Sequence, residues 1–280
     1  MEGTCMKKIK IIGLDLDGTL LNDKKEITSR TKDVLTKAMA AGVIVLPATG
    51  RPLSGVPEEL LELPGIRYAL TANGARIVDT KENKILWEKL VPADISRRIL
   101  KIMEDYDTLR EICYEGKSFA EADNLRNIGK YITDKPMAEY VLRTRTAVPD
   151  LWDKVEKMQD RGMDKVQGVF AVHEEKQEAH ARIMELGELS VSGAMGNNLE
   201  VNAPGINKGA GLLKLGELLG IEKEEIAAFG DGNNDLQMIE MAGFGVAMDN
   251  GLPEVKKIAD YITDTNNEDG VAKAIERFVL

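Results

Sequence analysis

The sequence predicts an α/β protein: a parallel-sheet core carried by residues 1–82 and 204–280, interrupted by an inserted α+β module over residues 83–203. Three observations lead there. At both ends of the chain short apolar strands alternate with helices, the pattern of a parallel sheet with crossover connections. The middle of the chain mixes strands and helices without that regular alternation. Polar residues recur just after the core strands, where open parallel sheets bind ligands.

Ile9, Ile11, Ile12 and Leu14 make a buried strand, and Asp15 and Asp17 follow at its end, with Gly18 permitting a tight turn. Thr28 or Ser29 caps a helix with Val34, Leu35, Ala38 and Met39 on one face, and Gly42 ends it. Val43 to Pro47 is a second buried strand, followed by the small-residue loop Ala48-Thr49-Gly50-Arg51-Pro52. Pro57 opens a short helix to Leu63, Tyr68 to Thr71 forms a strand, and Asn73-Gly74 is a hairpin-type turn into Ala75 to Asp79.

The inserted stretch begins with a strand from Ile85 to Leu90 and a helix with Ile95, Ile99, Ile102, Met103 and Tyr106 on one stripe. Hairpin strands are expected at Arg110 to Tyr114 and Lys117 to Ala120. Asp123 to Asp150 has broken periodicity, with Pro136 and Pro149 as interruptions. A helix (Leu151 to Met158), a strand (Val166 to His173), a helix (Glu174 to Leu186) and two strands (Leu189 to Gly193, Asn198 to Val201) follow. The core then resumes. Asn207 caps a helix ended by Gly220, with Lys208 in its first turn; Ile226 to Phe229 is a strand, and Gly230-Asp231-Gly232-Asn233-Asn234-Asp235 opens the helix from Leu236 to Ala242. The last elements are Phe244 to Met248, Pro253 to Ala259, Tyr261 to Ile262 and Asp269 to Phe278.

Composition narrows the function. With 280 residues, 43% hydrophobic and 30% charged, the chain has the make-up of a globular protein, and no run approaches the ~20 apolar residues of a membrane span. A net charge of -10 argues against a nucleic-acid partner. MEGTCMKK lacks the apolar core of a signal peptide, and Cys5 and Cys113 lie far apart without metal or redox spacing, so reduced thiols in a cytoplasmic setting are expected. Only two histidines, His173 and His180, are present, so any catalysis must rest on carboxylates.

Four strand ends or helix starts offer complementary groups: Asp15 with Asp17, Thr49 with Gly50, Lys208, and Asp231 with Asn234 and Asp235. Like charges this close need a cation among them. Clustered carboxylates suit Mg²⁺, a hard ion that takes oxygen ligands and leaves room for a phosphate. Lys208 in a first helical turn opposes the helix dipole, and that unfavourable placement points to use. Arg51 is open to two readings, substrate contact or surface charge. Trp87 and Trp152 read as packing of the inserted module, and the two histidines as bystanders.

The motifs DLDGTL, ATGR, NKG and GDGNND, with ANGA at Ala72 to Ala75 and LEVN at Leu199 to Asn202, resemble the haloacid dehalogenase superfamily of phosphohydrolases, and within it the Cof type. The likeness covers nearly the whole chain; only Asp123 to Asp150 has no signature to match. It implies a Rossmann-like core, a large α/β cap that sets substrate choice, and phosphomonoester hydrolysis with Mg²⁺ on small phosphorylated metabolites, sugar phosphates foremost. By that resemblance Asp15 is the nucleophile that forms an aspartyl-phosphate. Asp17 is the acid-base and binds metal through its backbone carbonyl. Asp15 and Asp231 give the metal their side chains, Asp235 supports that shell, and Thr49, Gly50, Lys208 and Asn234 hold the phosphoryl oxygens. Two alternatives share these groups: a phosphomutase, which returns the phosphoryl group to another hydroxyl, and a receiver-like phospho-acceptor switch. Oligomeric state is not legible.

Overall fold

The structure is a computed structural model that describes residues 8–158, 160–193 and 195–280; Cys5 lies outside them. The chain divides into two compact units. One comprises residues 1–50, 56–87 and 207–280, and the other residues 51–55 and 88–206.

The first unit is built on β1 (Ile11–Leu14), α1 (Ser29–Ala40), β2 (Ile44–Pro47), α2 (Glu58–Leu61), β3 (Tyr68–Thr71), β4 (Arg76–Asp79) and β5 (Lys84–Glu88). The inserted unit runs through α3 (Ala93–Glu104), β6 (Thr108–Tyr114), β7 (Lys117–Glu121), α4 (Ala122–Arg126), α5 (Lys135–Thr144), β8 (Arg145–Val148), α6 (Leu151–Lys157), β9 (Lys165–Phe170), α7 (His173–Met184), β10 (Ser190–Ser192) and β11 (Asn198–Asn202). The first unit then resumes with α8 (Lys208–Leu219), β12 (Ile226–Gly230), α9 (Leu236–Met241), β13 (Phe244–Met248), α10 (Pro253–Ile258), β14 (Tyr261–Thr263) and α11 (Gly270–Phe278).

The core sheet has the order β14-β13-β12-β1-β2, every pair parallel. From β1 the chain passes to β2 on one side, and the resumed half adds β12 to β14 on the other. The strand order therefore reverses at β1, and the carboxyl ends of β1 and β12 form a switch point of the kind at which open sheets bind ligands. The period of two along β1 divides its side chains between two layers. Ile12 and Leu14 pack with Val34, Leu35 and Ala38 of α1 and Val271 and Ile275 of α11. Ile11 packs with Leu212 and Leu215 of α8 and Met238 and Ile239 of α9. The caps read from sequence are in place: Thr28 accepts from the Thr31 amide, Asn207 accepts from that of Ala210, and Gly220 takes the left-handed conformation that closes α8.

The inserted unit carries a six-stranded sheet, β10-β11-β9-β6-β7-β8, antiparallel except for β7 with β8. One face is apolar: Ile112, Val166, Phe170, Leu199 and Val201 meet Ile99, Met103, Val155 and Ile183 of the flanking helices. On the other face Leu109, Ala120 and Val169 are covered by Tyr131, Ile132, Tyr140 and Val141. The rest of that second face is buried yet polar. It holds the ion pairs Glu111–Arg145 at 2.8 Å and Lys165–Glu200 at 2.9 Å, together with Ser118 and Gln167.

The stretch that sequence could not resolve, Asp123 to Asp150, folds as α4, α5 and β8. Pro136 is no interruption there: it sits in the first turn of α5, where a missing N–H costs nothing, behind an Asp134 cap. The strand expected to reach His173 stops at Phe170, and His173 instead opens α7. Trp87 packs on the core cluster with Leu212 rather than within the inserted unit, because β5 joins the β3–β4 hairpin. Trp152 does pack in the inserted unit, donating its indole N–H to Glu104 at 3.0 Å. Among the described residues no helix is long and apolar enough to cross a membrane.

Candidate active site

The register of the core sheet brings distant motifs to neighbouring strand ends. Leu14 lies opposite Phe229 on one side and Pro47 on the other. The Asp15 amide continues the ladder to the Phe229 carbonyl at 3.0 Å, and Ala48 donates to Leu14. Asp15, Thr49 and Asp231 thus leave three adjacent strands at one edge.

Gly18 turns the chain back with φ +82, and a Cβ there would overlap the Asp231 carboxylate. Only glycine satisfies both the backbone angle and the close approach. The next residue, Thr19, donates its hydroxyl to Asp231 Oδ1 at 2.7 Å.

Lys208 enters from the first turn of α8 and is fully buried. Its Nζ lies 2.6 Å from Asp15 Oδ1 and 2.7 Å from Asp235 Oδ1. The second Asp235 oxygen accepts from the amides of Asp231 (3.0 Å) and Gly232 (2.9 Å). Both oxygens of Asp235 are therefore taken by protein donors, while the carboxylate locks the Gly230–Asp235 turn. Carboxylate oxygens of Asp15, Asp231 and Asp235 all lie within 4.8 Å of one another.

Three carboxylates around one lysine leave a charge excess, and burial together with that excess makes Asp15 and Asp231 hold their protons more tightly. Burial pushes the Asp15 carboxyl well above the ordinary range, Asp235 adds to the effect and Lys208 opposes it. Burial, then Asp235, raises Asp231 to about 7, against the Thr19 hydrogen bond. Burial alone would lower the Lys208 ammonium, but Asp15 and Asp235 outweigh it and drive the value up. This donor set of hard, crowded, under-neutralised oxygens fits a divalent cation.

The remaining motif residues take defined places. Thr49 is 2% exposed, its amide donating to Leu70 and its carbonyl accepting from the Asn73 amide. Asn234 is half-buried beside Gly232. Asp17 is half-buried with Lys25 at 2.7 Å. Arg51 is not a surface charge: it is 8% exposed, donates to the Gly55 carbonyl and lies 3.9 Å over the Tyr140 ring. Sequence reasoning passed over Thr19, Lys25 and Asn250, whose amide donates to the Gly18 carbonyl at 2.7 Å. Thr19 stood inside a quoted motif; nothing local marks the other two.

Comparison with known proteins agrees with this geometry. A family model described as haloacid dehalogenase-like hydrolase matches residues 12–275. The chain is 34% identical over 275 residues to a 5-amino-6-(5-phospho-D-ribitylamino)uracil phosphatase of Bacillus subtilis (strain 168), covering 97% of this chain and 96% of the relative. Among solved structures it resembles a haloacid dehalogenase-like hydrolase from Bacteroides thetaiotaomicron (TM-score 0.80, 31% identity, 96% of this chain and 99% of that one). It also resembles a sugar phosphatase of subclass IIB of the same superfamily (TM-score 0.82, 25% identity, 96% and 98% covered). Likeness sustained from the first motif to the last, on a core sheet whose strand ends gather those motifs, means that the chain belongs to the haloacid dehalogenase-like hydrolases and is a phosphatase of their Cof type.

Proposed function

We propose that the protein is a Mg²⁺-dependent phosphomonoester hydrolase acting through an aspartyl-phosphate on small hydroxyl-rich phosphate esters, sugar phosphates foremost. The observation that carries the reading is the Lys208 ammonium bridging Asp15 and Asp235, with Asp231 in the same group of oxygens.

Asp15 attacks phosphorus and forms an acyl phosphate as the bond to the leaving oxygen breaks. Asp17 gives that oxygen a proton and then takes one from the water that attacks the acyl phosphate, which frees inorganic phosphate and restores Asp15. Lys208, Thr49, the Gly50 backbone and Asn234 hold the phosphoryl oxygens, and Asp235 fixes Lys208 and the Asp231 turn from behind. Asp15, Asp231 and the Asp17 carbonyl would hold Mg²⁺, which when bound offsets the negative charge of carboxylates and phosphate.

Substrate choice is assigned to the inserted unit. Its polar sheet face pairs each buried acid with a cation, Glu111 with Arg145 and Lys165 with Glu200, and adds the amide of Gln167. A charge-balanced face of donors and acceptors suits hydroxyls better than a second anion. The names of a ribitylaminouracil-phosphate phosphatase and a sugar phosphatase among its relatives support the same class. The test is free-phosphate release from a panel of phosphorylated metabolites with and without Mg²⁺. Release that needs the metal and prefers sugar or polyol phosphates supports the reading; no release from any ester rejects it.

A further inference from the structure

Between the first strand and α1 the chain makes a tight loop at Asn22 to Glu26. The Asn22 amide donates to the Glu26 carbonyl at 3.0 Å, and the Asn22 side-chain oxygen accepts from the amides of Lys24 (2.9 Å) and Glu26 (3.0 Å). Within this loop Lys25 adopts φ 62, a left-handed conformation that L-residues other than asparagine and aspartate rarely take. Asn22 and Asp23 stand close by, and either type would suit that angle better. A lysine held there against its backbone preference is a sign of use.

Its direction says what for. Lys24 and Glu26, on either side, are exposed, whereas Lys25 turns inward and sets its ammonium 2.7 Å from Asp17 Oδ1. Each side chain of this pair keeps just over a quarter of its surface in solvent, so the contact adds little to stability. It does restrict the orientation of a short carboxylate whose work depends on direction: a proton donor must point at the oxygen it serves.

We propose that Lys25 is a positioning residue for the Asp17 carboxylate, held in place by the strained Asn22–Glu26 loop. The inference rests on the acid-base role given to Asp17 above. Loss of Lys25 removes the contact that directs Asp17 Oδ1, so the step that suffers is protonation of the leaving oxygen. An ester whose leaving group departs without a proton is spared.

The experiment compares kcat on p-nitrophenyl phosphate, whose leaving group needs no proton, with kcat on a hexose 6-phosphate, whose alkoxide does. For Lys25→Met we expect a loss of about ten-fold or more on the sugar ester and less than about three-fold on the aryl ester, part of the range general acids supply. Lys25→Arg should recover most of the loss. Lys25→Gly relieves the backbone angle, so it should melt no lower than the wild type while showing the same selective loss. Equal losses on both esters, or none, overturn the proposal. Asp17→Asn separates the two levels: if it shows no leaving-group dependence, the acid-base role falls and this inference with it. If Asp17→Asn shows the dependence and Lys25→Met does not, only the role of Lys25 falls.

Discussion

Both units of this protein bury charge, but they balance it differently. In the core, Asp15, Asp231 and Asp235 share a single lysine, and burial with mutual repulsion raises the first two. In the inserted unit every buried acid on the polar sheet face has its own cation. Burial works against the Arg145 charge, yet Glu111 and its other neighbours outweigh it and hold the guanidinium protonated. An isolated buried charge is costly, so a cluster left short of cations must either keep protons or take up a ligand that supplies the missing positive charge. A balanced cluster needs no such ligand, and its spare hydrogen-bonding capacity is available for neutral polar groups. The core cluster is thus suited to a charged group, and the balanced face, under the proposed function, to the neutral hydroxyls of a substrate.

The largest effect that could break this contrast lies at Asp15. Asp15→Asn keeps the size and removes the proposed nucleophile, so phosphate release should fall by on the order of 10³-fold or more. Full activity in that variant would end the reading of the core as a nucleophilic site. Next comes Lys208→Met, which strips the one cation from the cluster. Breaking a buried pair in this way costs ~3–5 kcal/mol, measurable as a lower denaturant midpoint, with activity lost as well. An unchanged midpoint would mean that the carboxylates are not under-neutralised.

A smaller effect tests the missing charge directly. Asp231 is raised from 3.8 to about 7 in the fold, so the folded protein binds its proton more tightly than the unfolded chain does. The stability this group contributes is complete below the unfolded value and is lost as pH rises through 7. In the presence of a chelator the melting temperature should therefore climb by a few degrees as pH is lowered from 8 to 6, since ~1 kcal/mol is worth about 2–4 °C for a chain of this size. Saturating Mg²⁺ should flatten that slope by taking the proton's place. A slope that is the same with and without the metal would remove Asp231 from the metal site.

How much of this was legible in the sequence follows the same division. Core strands announce themselves because parallel strands buried on both faces read as continuous apolar runs, and the helices carry Thr28, Asn207 and Gly220 as caps. The motif residues stand at those strand ends, so adjacency in the sheet delivers them to one edge. Tertiary pairings were invisible. Nothing near Lys25 announces that it faces Asp17, and nothing near Asn250 announces the Gly18 carbonyl, because both contacts are set by loop geometry. The stretch around Asp123 to Asp150 failed for a further reason. Its elements are short, α5 begins behind a capping aspartate with proline in the first turn, and β8 is an edge strand of four residues, too few for a period to show.

The smallest net effect is expected where the inserted unit's pair is replaced whole. Glu111 is fully buried; its Oε2 accepts from Arg145 Nε at 2.8 Å and Ser118 Oγ at 3.2 Å, while Oε1 has no hydrogen-bond partner among the described residues. Glu111→Met alone leaves the buried Arg145 guanidinium without its anion, at a cost of ~3 kcal/mol. Removing the guanidinium too, in Glu111→Met with Arg145→Met, restores charge balance with apolar groups of similar length, and the stability should return to within ~1 kcal/mol of the wild type. The double variant should keep its activity on p-nitrophenyl phosphate within about three-fold, because charge handling in the core is untouched, while its KM for a sugar phosphate rises. An ion pair kept only for stability would leave that KM alone. A double variant as unstable as the single would show instead that the face tolerates no apolar substitute, and its polarity would then belong to folding rather than to recognition.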